Sequence, residues 1–243
     1  MQALQGSMAA MDDGDGVVTQ NGLLANLVAY WGLDEASGAN NALDKHSNGL
    51  TLTQAASPGS ATGIVYAGAR TFDGATQWFH RASDAFLQTG AVSFAFAAWA
   101  YKSASGVRII LSKDDASINR EYMLFVSDTA VAFATFPGGT YSPVSVVYAM
   151  PQNEWHLVCG WRDQTVGKIY CSVDNGTPAE ATVGAASART TAFMIGNINY
   201  INTTKWIGRI GPVAMWKNRT LDAAARTALY NAGAGLAYSA FTA

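Results

Sequence analysis

From Leu27 onward the sequence breaks into short apolar runs, each bounded by Gly, Pro, Ser or Asn, with polar and apolar positions alternating inside many of them. A period of two sends successive side chains to opposite faces of a strand. The pattern predicts strands at VAYWGL, LTLT, RTFDG, TQWFHR, VRIILSK, EYMLFVS, AVAFATF, PVSVVYAM, EWHLVCGW, KIYCSVD, AFMIGN and KWIGRIGPVAMW. Turn signals at SPGSATG, SASG, PGG and DNGTP separate them. In VSFAFAAWAY, Val92, Phe94, Phe96, Ala98 and Ala100 share one face, and Ser93, Ala95, Ala97, Trp99 and Tyr101 the other. Both faces are apolar or small, which predicts a central strand covered on both sides. Many strands with no helices between them imply an all-β sandwich or barrel rather than a βαβ fold. Trp31, Trp78, Trp99, Trp155 and Trp216 fall within strand patterns, and most of them are expected in the core.

One helix is predicted near the C-terminus, over LDAAARTALYNAG. Thr220 is its expected N-cap, Asp222 suits the first turn and Gly233 the C′ position. Leu221, Ala225, Ala228 and Leu229 would form its apolar face. The first 24 residues are rich in Gly, Asp, Met and Ala and include DDGDG at Asp12–Gly16. They read as a flexible acidic arm, able to dock on a neighbouring subunit, with a folded domain over residues 25–243. A calcium loop would need more oxygens at set offsets and a closing Glu, and none follows.

Composition narrows the function classes. Hydrophobic residues make up 49 % of the 243, enough for a sizeable core. Charged residues make up 13 %, where domains average about 25 %. A net charge of -2 without any Lys/Arg run gives no case for nucleic acid or an anionic membrane. The longest apolar stretch, Ala91–Tyr101, is shorter than the roughly 20 residues of a membrane-spanning helix. The N-terminus lacks the basic and apolar regions of a standard secretory signal. The product is therefore expected to be used inside a cell, released by lysis, or cut from a longer chain. Cys159 and Cys171 lie on neighbouring predicted strands. They read as small buried hydrophobes, with a cross-strand disulfide as the competing reading.

Hydrolytic chemistry is poorly supplied. The only glutamates are Glu35, Glu121, Glu154 and Glu180, and none is two or four residues from another carboxylate on one strand. Glycosidases need two carboxyls facing one cleft. Asp34 and Glu35 are adjacent, so a strand would point them to opposite faces. There is no Gly-x-Ser-x-Gly elbow or P-loop, and His46, His80 and His156 are isolated. No enzymatic activity is expected.

The motifs LVAYWGLDEASG, ARTFDGATQWF, VSFAFAAWAY, NEWHLVCGWRDQTVGKIYCSVDNG, FMIGN and WIGRIGPVAMWKNRTLDAAARTALYNAG follow one another in order. Over about residues 27–233 this succession resembles the laminin-G-like jelly roll of the concanavalin A-like lectin/glucanase superfamily. The resemblance implies an antiparallel two-sheet jelly-roll sandwich, with FDG as a strand end and turn, Asn175–Gly176 at positive φ in a hairpin, and the helix over one end. It also implies a packing or hydrogen-bonding role for His156. Related folds hold a calcium between acids near the first strand and in the last long strand. Gly211 and Pro212 stand where two of those acids would be, so no cofactor is expected. The closing LYNAGAGLAYSAF is similar to the tail of such domains in bacteriophage virion proteins. That implies a virion location, as a capsid decoration or fibre component, oligomeric or particle-bound, with other virion proteins and host surface glycans as partners. The alternative is a carbohydrate-binding module of a secreted bacterial protein.

Candidate ligand-binding residues lie in two loops. GNINYINTTKW offers Asn197, Asn199, Tyr200 and Asn202, and FPGGTYS adds Tyr141. Such loops can stack a sugar ring and bond its hydroxyls, or serve a protein contact. In KDDASIN, Asp114 and Asp115 are the weak candidates for a cation or sugar, against a solvated acidic turn.

Overall fold

The computed structural model describes residues 21–38, 40–116 and 119–243. Its strands are β1 (Leu27–Trp31), β2 (Thr53–Ala55), β3 (Gly59–Thr62), β4 (Gly68–Asp73), β5 (Trp78–Arg81), β6 (Phe94–Lys102), β7 (Arg108–Asp114) and β8 (Arg120–Val126). They continue with β9 (Ala130–Thr135), β10 (Ser142–Val147), β11 (Trp155–Asp163), β12 (Lys168–Val173), β13 (Ala179–Thr182), β14 (Phe193–Ile195) and β15 (Ile207–Lys217). A single α-helix, α1, spans Ala223–Tyr230.

The first sheet runs β13-β12-β11-β6-β15-β4-β3, with β1 also paired to β15. The second runs β10-β9-β8-β7-β14-β5-β2. All pairings of named strands are antiparallel, and the sheets stack as a jelly-roll sandwich. The doubly apolar β6 lies between β11 and β15, as its alternation predicts. Phe94, Phe96, Ala98 and Ala100 join the core between the sheets, while Ala95, Ala97 and Trp99 join a second core on the outer face of the first sheet. That outer face is roofed by Leu23, by Leu221, Ala225 and Leu229 around the helix, and by the C-terminal tail through Phe241. The helix thus covers a sheet face rather than an end of the sandwich, because its Ala/Leu stripe meets Leu157 and Trp161 there.

Several local expectations change. The helix N-cap is Asp222, not Thr220: its carboxylate accepts from the Ala225 N–H at 2.7 Å. Its C-cap is Asn231 at φ 47, ahead of Gly233; asparagine tolerates the left-handed region. In the β12–β13 hairpin the positive φ belongs to Asp174, at 53, not to Asn175–Gly176. Asp174 is fixed there by accepting from the Leu157 N–H at 2.9 Å and holding His156 Nδ1 at 3.0 Å. SPGSATG is more than a turn, since it contains β3. Leu23 is fully buried and Asn21 bonds Thr242, so residues 21–24 belong to the domain rather than to an arm. Residues 1–20 lie outside the described residues.

Cys159 pairs with Ser172 in the ladder, and Cys171 with Gly160. The offset of one residue sends Cys159 to the outer core and Cys171 to the inner one, so both stay free thiols. Trp31, Trp99 and Trp216 are buried, as is Trp206, whereas Trp78 and Trp155 are only half-buried. The indole N–H groups of Trp31, Trp206 and Trp216 reach the carbonyls of Leu50, Arg209 and Leu23, as deep burial of tryptophan requires.

Candidate functional site

The outward face of the second sheet carries chemistry. One register row crosses it: Thr53, His80, Met194, Ser112, Met123, Ala134 and Pro143 sit opposite one another in succession. Directly paired residues share a face, so all seven point outward. The loop after β14 lies against this face. Ile198 packs with Ile109, Met123, Ala134 and Phe136, and the Ser112 hydroxyl donates to the Asn197 carbonyl at 2.8 Å.

This loop places Tyr200 beside the β7–β8 hairpin. Its hydroxyl donates to Asp114 Oδ2 at 3.0 Å and accepts from the Arg120 guanidinium at 2.6 Å. Arg120 itself grips Asp114 through Nε and Nη2, at 2.9 Å each to the two carboxylate oxygens. The guanidinium stacks 4.1 Å from the Phe136 ring centre, and the Tyr141 ring lies 5.8 Å from Phe136. Tyr200 and Tyr141 remain 38 % and 45 % exposed, so two partly open rings flank one part-buried ion pair. Partial burial first, and then the Asp114 charge, push the Tyr200 phenol up to about 12, which keeps it a hydrogen-bond donor. Burial lowers and Asp114 raises the Arg120 guanidinium, and the net shift is upward.

Of the loop asparagines, Asn199 and Asn202 are exposed, while Asn197 is buried with its Oδ1 lacking a partner. Asn197 therefore supports the loop from within rather than offering its amide to solvent. Asp114 is not part of a solvated turn: it ends β7, and its side chain is sealed by Arg120 and Tyr200. Asp115 is half-exposed and its N–H bonds the Asn119 carbonyl. The two carboxylates thus do not converge on one cation, and among the described residues no group of His, Cys, Asp or Glu could hold a metal.

The region of a family-type calcium fails the same test. Gly211 and Pro212 form a bulge opposite Trp99, at which β15 exchanges β4 for β1 as its neighbour. Asp34 pairs with Lys45 at 3.0 Å, and Glu35 Oε1 accepts from the Leu43 N–H. The carbonyls of Glu35 and Ala36 accept from Arg70 at 3.1 and 2.8 Å, and that of Pro58 at 2.7 Å. Those oxygens already hold a cation, the guanidinium.

A cavity of about 520 Å³ opens at the other end of the face, lined by Thr51, Thr53, His80, Arg81, Ala82, Ser83, Asp84 and Ala192. Arg120, Phe136 and this cavity were not singled out from the sequence. Arg120 had one legible signal, its opposite charge to Asp114 across a hairpin. His156, by contrast, meets its structural expectation, bonding Asp174 and lying 3.3 Å from the Tyr148 hydroxyl.

Similarities to known proteins agree with this architecture. Among solved structures, the binding domain of Paraclostridial Mosquitocidal Protein 1 superposes with a TM-score of 0.66 at 10 % identity, over 86 % of this chain and 52 % of that one. The binding domain of Botulinum Neurotoxin DC in complex with SialylT gives 0.61 at 10 % identity, over 86 % and 52 %. Domain 4 of AbnA, a GH43 extracellular arabinanase from Geobacillus stearothermophilus, in complex with arabinotriose, gives 0.65 at 12 % identity, over 83 % and 97 %. The chain spans about half the length of the toxin binding domains and nearly all of the arabinanase domain. At such identities the likeness is one of fold. No curated protein matches the sequence. The laminin G family described as the concanavalin A-like lectin/glucanases superfamily matches residues 73–225, from the last residue of β4 into α1. With its motif order, its two antiparallel sheets and this match in accord, the chain belongs to the concanavalin A-like lectin/glucanase superfamily.

Proposed function

We propose that the chain is a non-enzymatic glycan-binding module that meets sugars on the outward face of its second sheet. The observation that carries this reading is the placement on one face of two partly open tyrosines, a rigid Asp114–Arg120 pair and a hydroxyl-lined cavity. Aromatic faces stack against the apolar side of a sugar ring, and a few convergent polar groups fix its hydroxyls. The arabinotriose complex of the arabinanase domain and the SialylT complex of the toxin domain, which share the fold, support the same class of ligand. A glycosidase is disfavoured by where the glutamates go. Glu121 is buried against Lys113, Glu180 pairs with Lys168 on β12, Glu35 holds the Leu43 N–H, and Glu154 lies 4.0 Å from His156. Glycan-array binding by the full chain, lost in the double variant Ala82→Trp/Tyr200→Ala, is the expected result. An array without binding, or release of reducing sugar, would overturn the reading.

The setting we propose is a virion, with capsid or fibre subunits and host surface glycans as partners. It is supported by the resemblance of the closing LYNAGAGLAYSAF to virion protein tails. Co-purification with phage particles tests it. A chain found only free in a culture medium would favour the alternative, a module of a secreted bacterial protein.

A further inference from the structure

The cavity between β2, β5 and β14 is distinct from the tyrosine cluster and has its own chemistry. Its walls carry the hydroxyls of Thr51, Thr53 and Ser83 and the ring of His80. Among the described residues neither ring nitrogen of His80 has a protein partner; Nδ1 is buried and unpaired, which leaves Nε2 as the accessible one. Nε2 is thus the ring nitrogen that a ligand hydroxyl in the cavity can reach, beside the wall hydroxyls.

The charges in the wall are already matched. Arg81 binds Asp84 Oδ2 through Nε at 3.0 Å and Nη2 at 2.8 Å, and its Nη1 donates to the Thr51 carbonyl. Asp84 Oδ1 accepts from the Phe86 N–H at 2.9 Å. That bond fixes a short turn carrying Phe86, which is 50 % exposed. No free cation is left among the lining residues to attract an anionic ligand. The volume lies within the roughly 300–1,000 Å³ typical of small-molecule sites.

We infer that this cavity is the seat of a neutral sugar residue, whose hydroxyls meet His80, Thr51, Thr53 and Ser83. The inference rests on the glycan-binding reading and names its site and ligand class. Tyr200 and Tyr141 then serve as a secondary contact along the same face. Uronic and sialic acids are disfavoured there, because the matched Arg81–Asp84 pair offers them no counter-charge.

The test uses the full chain on an array of neutral and acidic glycans, with titration calorimetry on the glycans that bind. Neutral glycans are expected to bind. Ala82→Trp, an exposed position where a large ring fills the cavity, should lower affinity at least about ten-fold, and His80→Ala by several-fold. Tyr200→Ala should change affinity by no more than about three-fold. Unchanged thermal unfolding of Ala82→Trp ensures that a loss reports on the cavity. Binding that survives Ala82→Trp but collapses in Tyr200→Ala would overturn the cavity assignment and leave the glycan module standing. Binding confined to acidic glycans would overturn the ligand class, and an array without binding would overturn both readings.

Discussion

Arg70 donates to the backbone carbonyl of Glu35 at 3.1 Å from a position with no solvent exposure. The same guanidinium reaches the carbonyls of Ala36, Pro58 and, at 3.4 Å, Asn40, so one side chain ties three separate stretches of backbone together. Removing it would orphan the buried Pro58 carbonyl, at about 1–3 kcal/mol, take the donor from the part-buried carbonyls of Glu35 and Ala36, and empty the fully buried site of the side chain itself. Arg70→Met is expected to lose about 3 kcal/mol or more of stability in urea unfolding. Arg70→Lys should recover only part of that, because a single ammonium cannot span the fork. Midpoints should coincide in calcium and in EDTA, since the region is clamped by the guanidinium. A calcium-dependent shift would refute this account.

Asp73 gives the FDG motif its physical meaning. Burial pushes its carboxyl up, but the Thr76 hydroxyl and the N–H groups of Ala75, Thr76 and Gln77 outweigh it and hold the carboxyl down to about 2, from an ordinary 3.8. A folded value below the unfolded one means that the charged carboxylate stabilises the fold fully above about pH 4. That contribution fades as pH falls toward 2. The side chain is largely open to water, so the effect will be modest. Asp73→Asn should unfold more easily than the parent at neutral pH, with the gap closing as pH drops to 2, measured by circular dichroism. Gly74, at φ 74, completes the turn; a Cβ there would run into the Ile207 side chain.

Much of the sandwich was legible because burial on two sides leaves a period-two signature, as in β6. The short edge strands β3 and β13 were not, since GSAT and AEAT contain no large apolar residue. The tyrosine loop was legible by composition, but its partners were not. Tyr200 meets Asp114 across 86 positions, a pairing that only the sheet order creates. Asn197 misled for a related reason: an amide in a polar loop looks exposed until Ile198 beside it is seen packed on Met123 and Phe136. Arg70 was invisible because its partners are carbonyls, which every residue carries.

Cys159 and Cys171 face opposite sides of the first sheet, and burial pushes both thiols upward, Cys159 to about 12. A thiol must ionise to react. Neither cysteine should therefore react with a thiol reagent at pH 8 in the native chain, while both react in denaturant. Mass spectrometry under non-reducing conditions should show no loss of two hydrogens. A native thiol count below two after denaturation would contradict the register.

Lys113 and Glu121 form an ion pair at 2.9 Å with no solvent exposure on either side chain. Glu121 also accepts from the N–H and hydroxyl of Thr89 and the N–H of Arg189, and Lys113 donates to the Arg189 carbonyl. The pair thus anchors the loops before β6 and before β14, the second of which leads to Ala192 in the cavity wall. Desolvation lowers the Lys113 amine, and Glu121 opposes that shift. Breaking such a pair from one side strands a buried charge, at about 3–5 kcal/mol. Lys113→Met and Glu121→Gln alone should each be strongly destabilising. The double variant should be closer to the parent than either, because Gln still accepts from Thr89 and no lone charge remains. Additive losses in that double-mutant cycle would show that the two residues act independently and that the loops are held by other contacts.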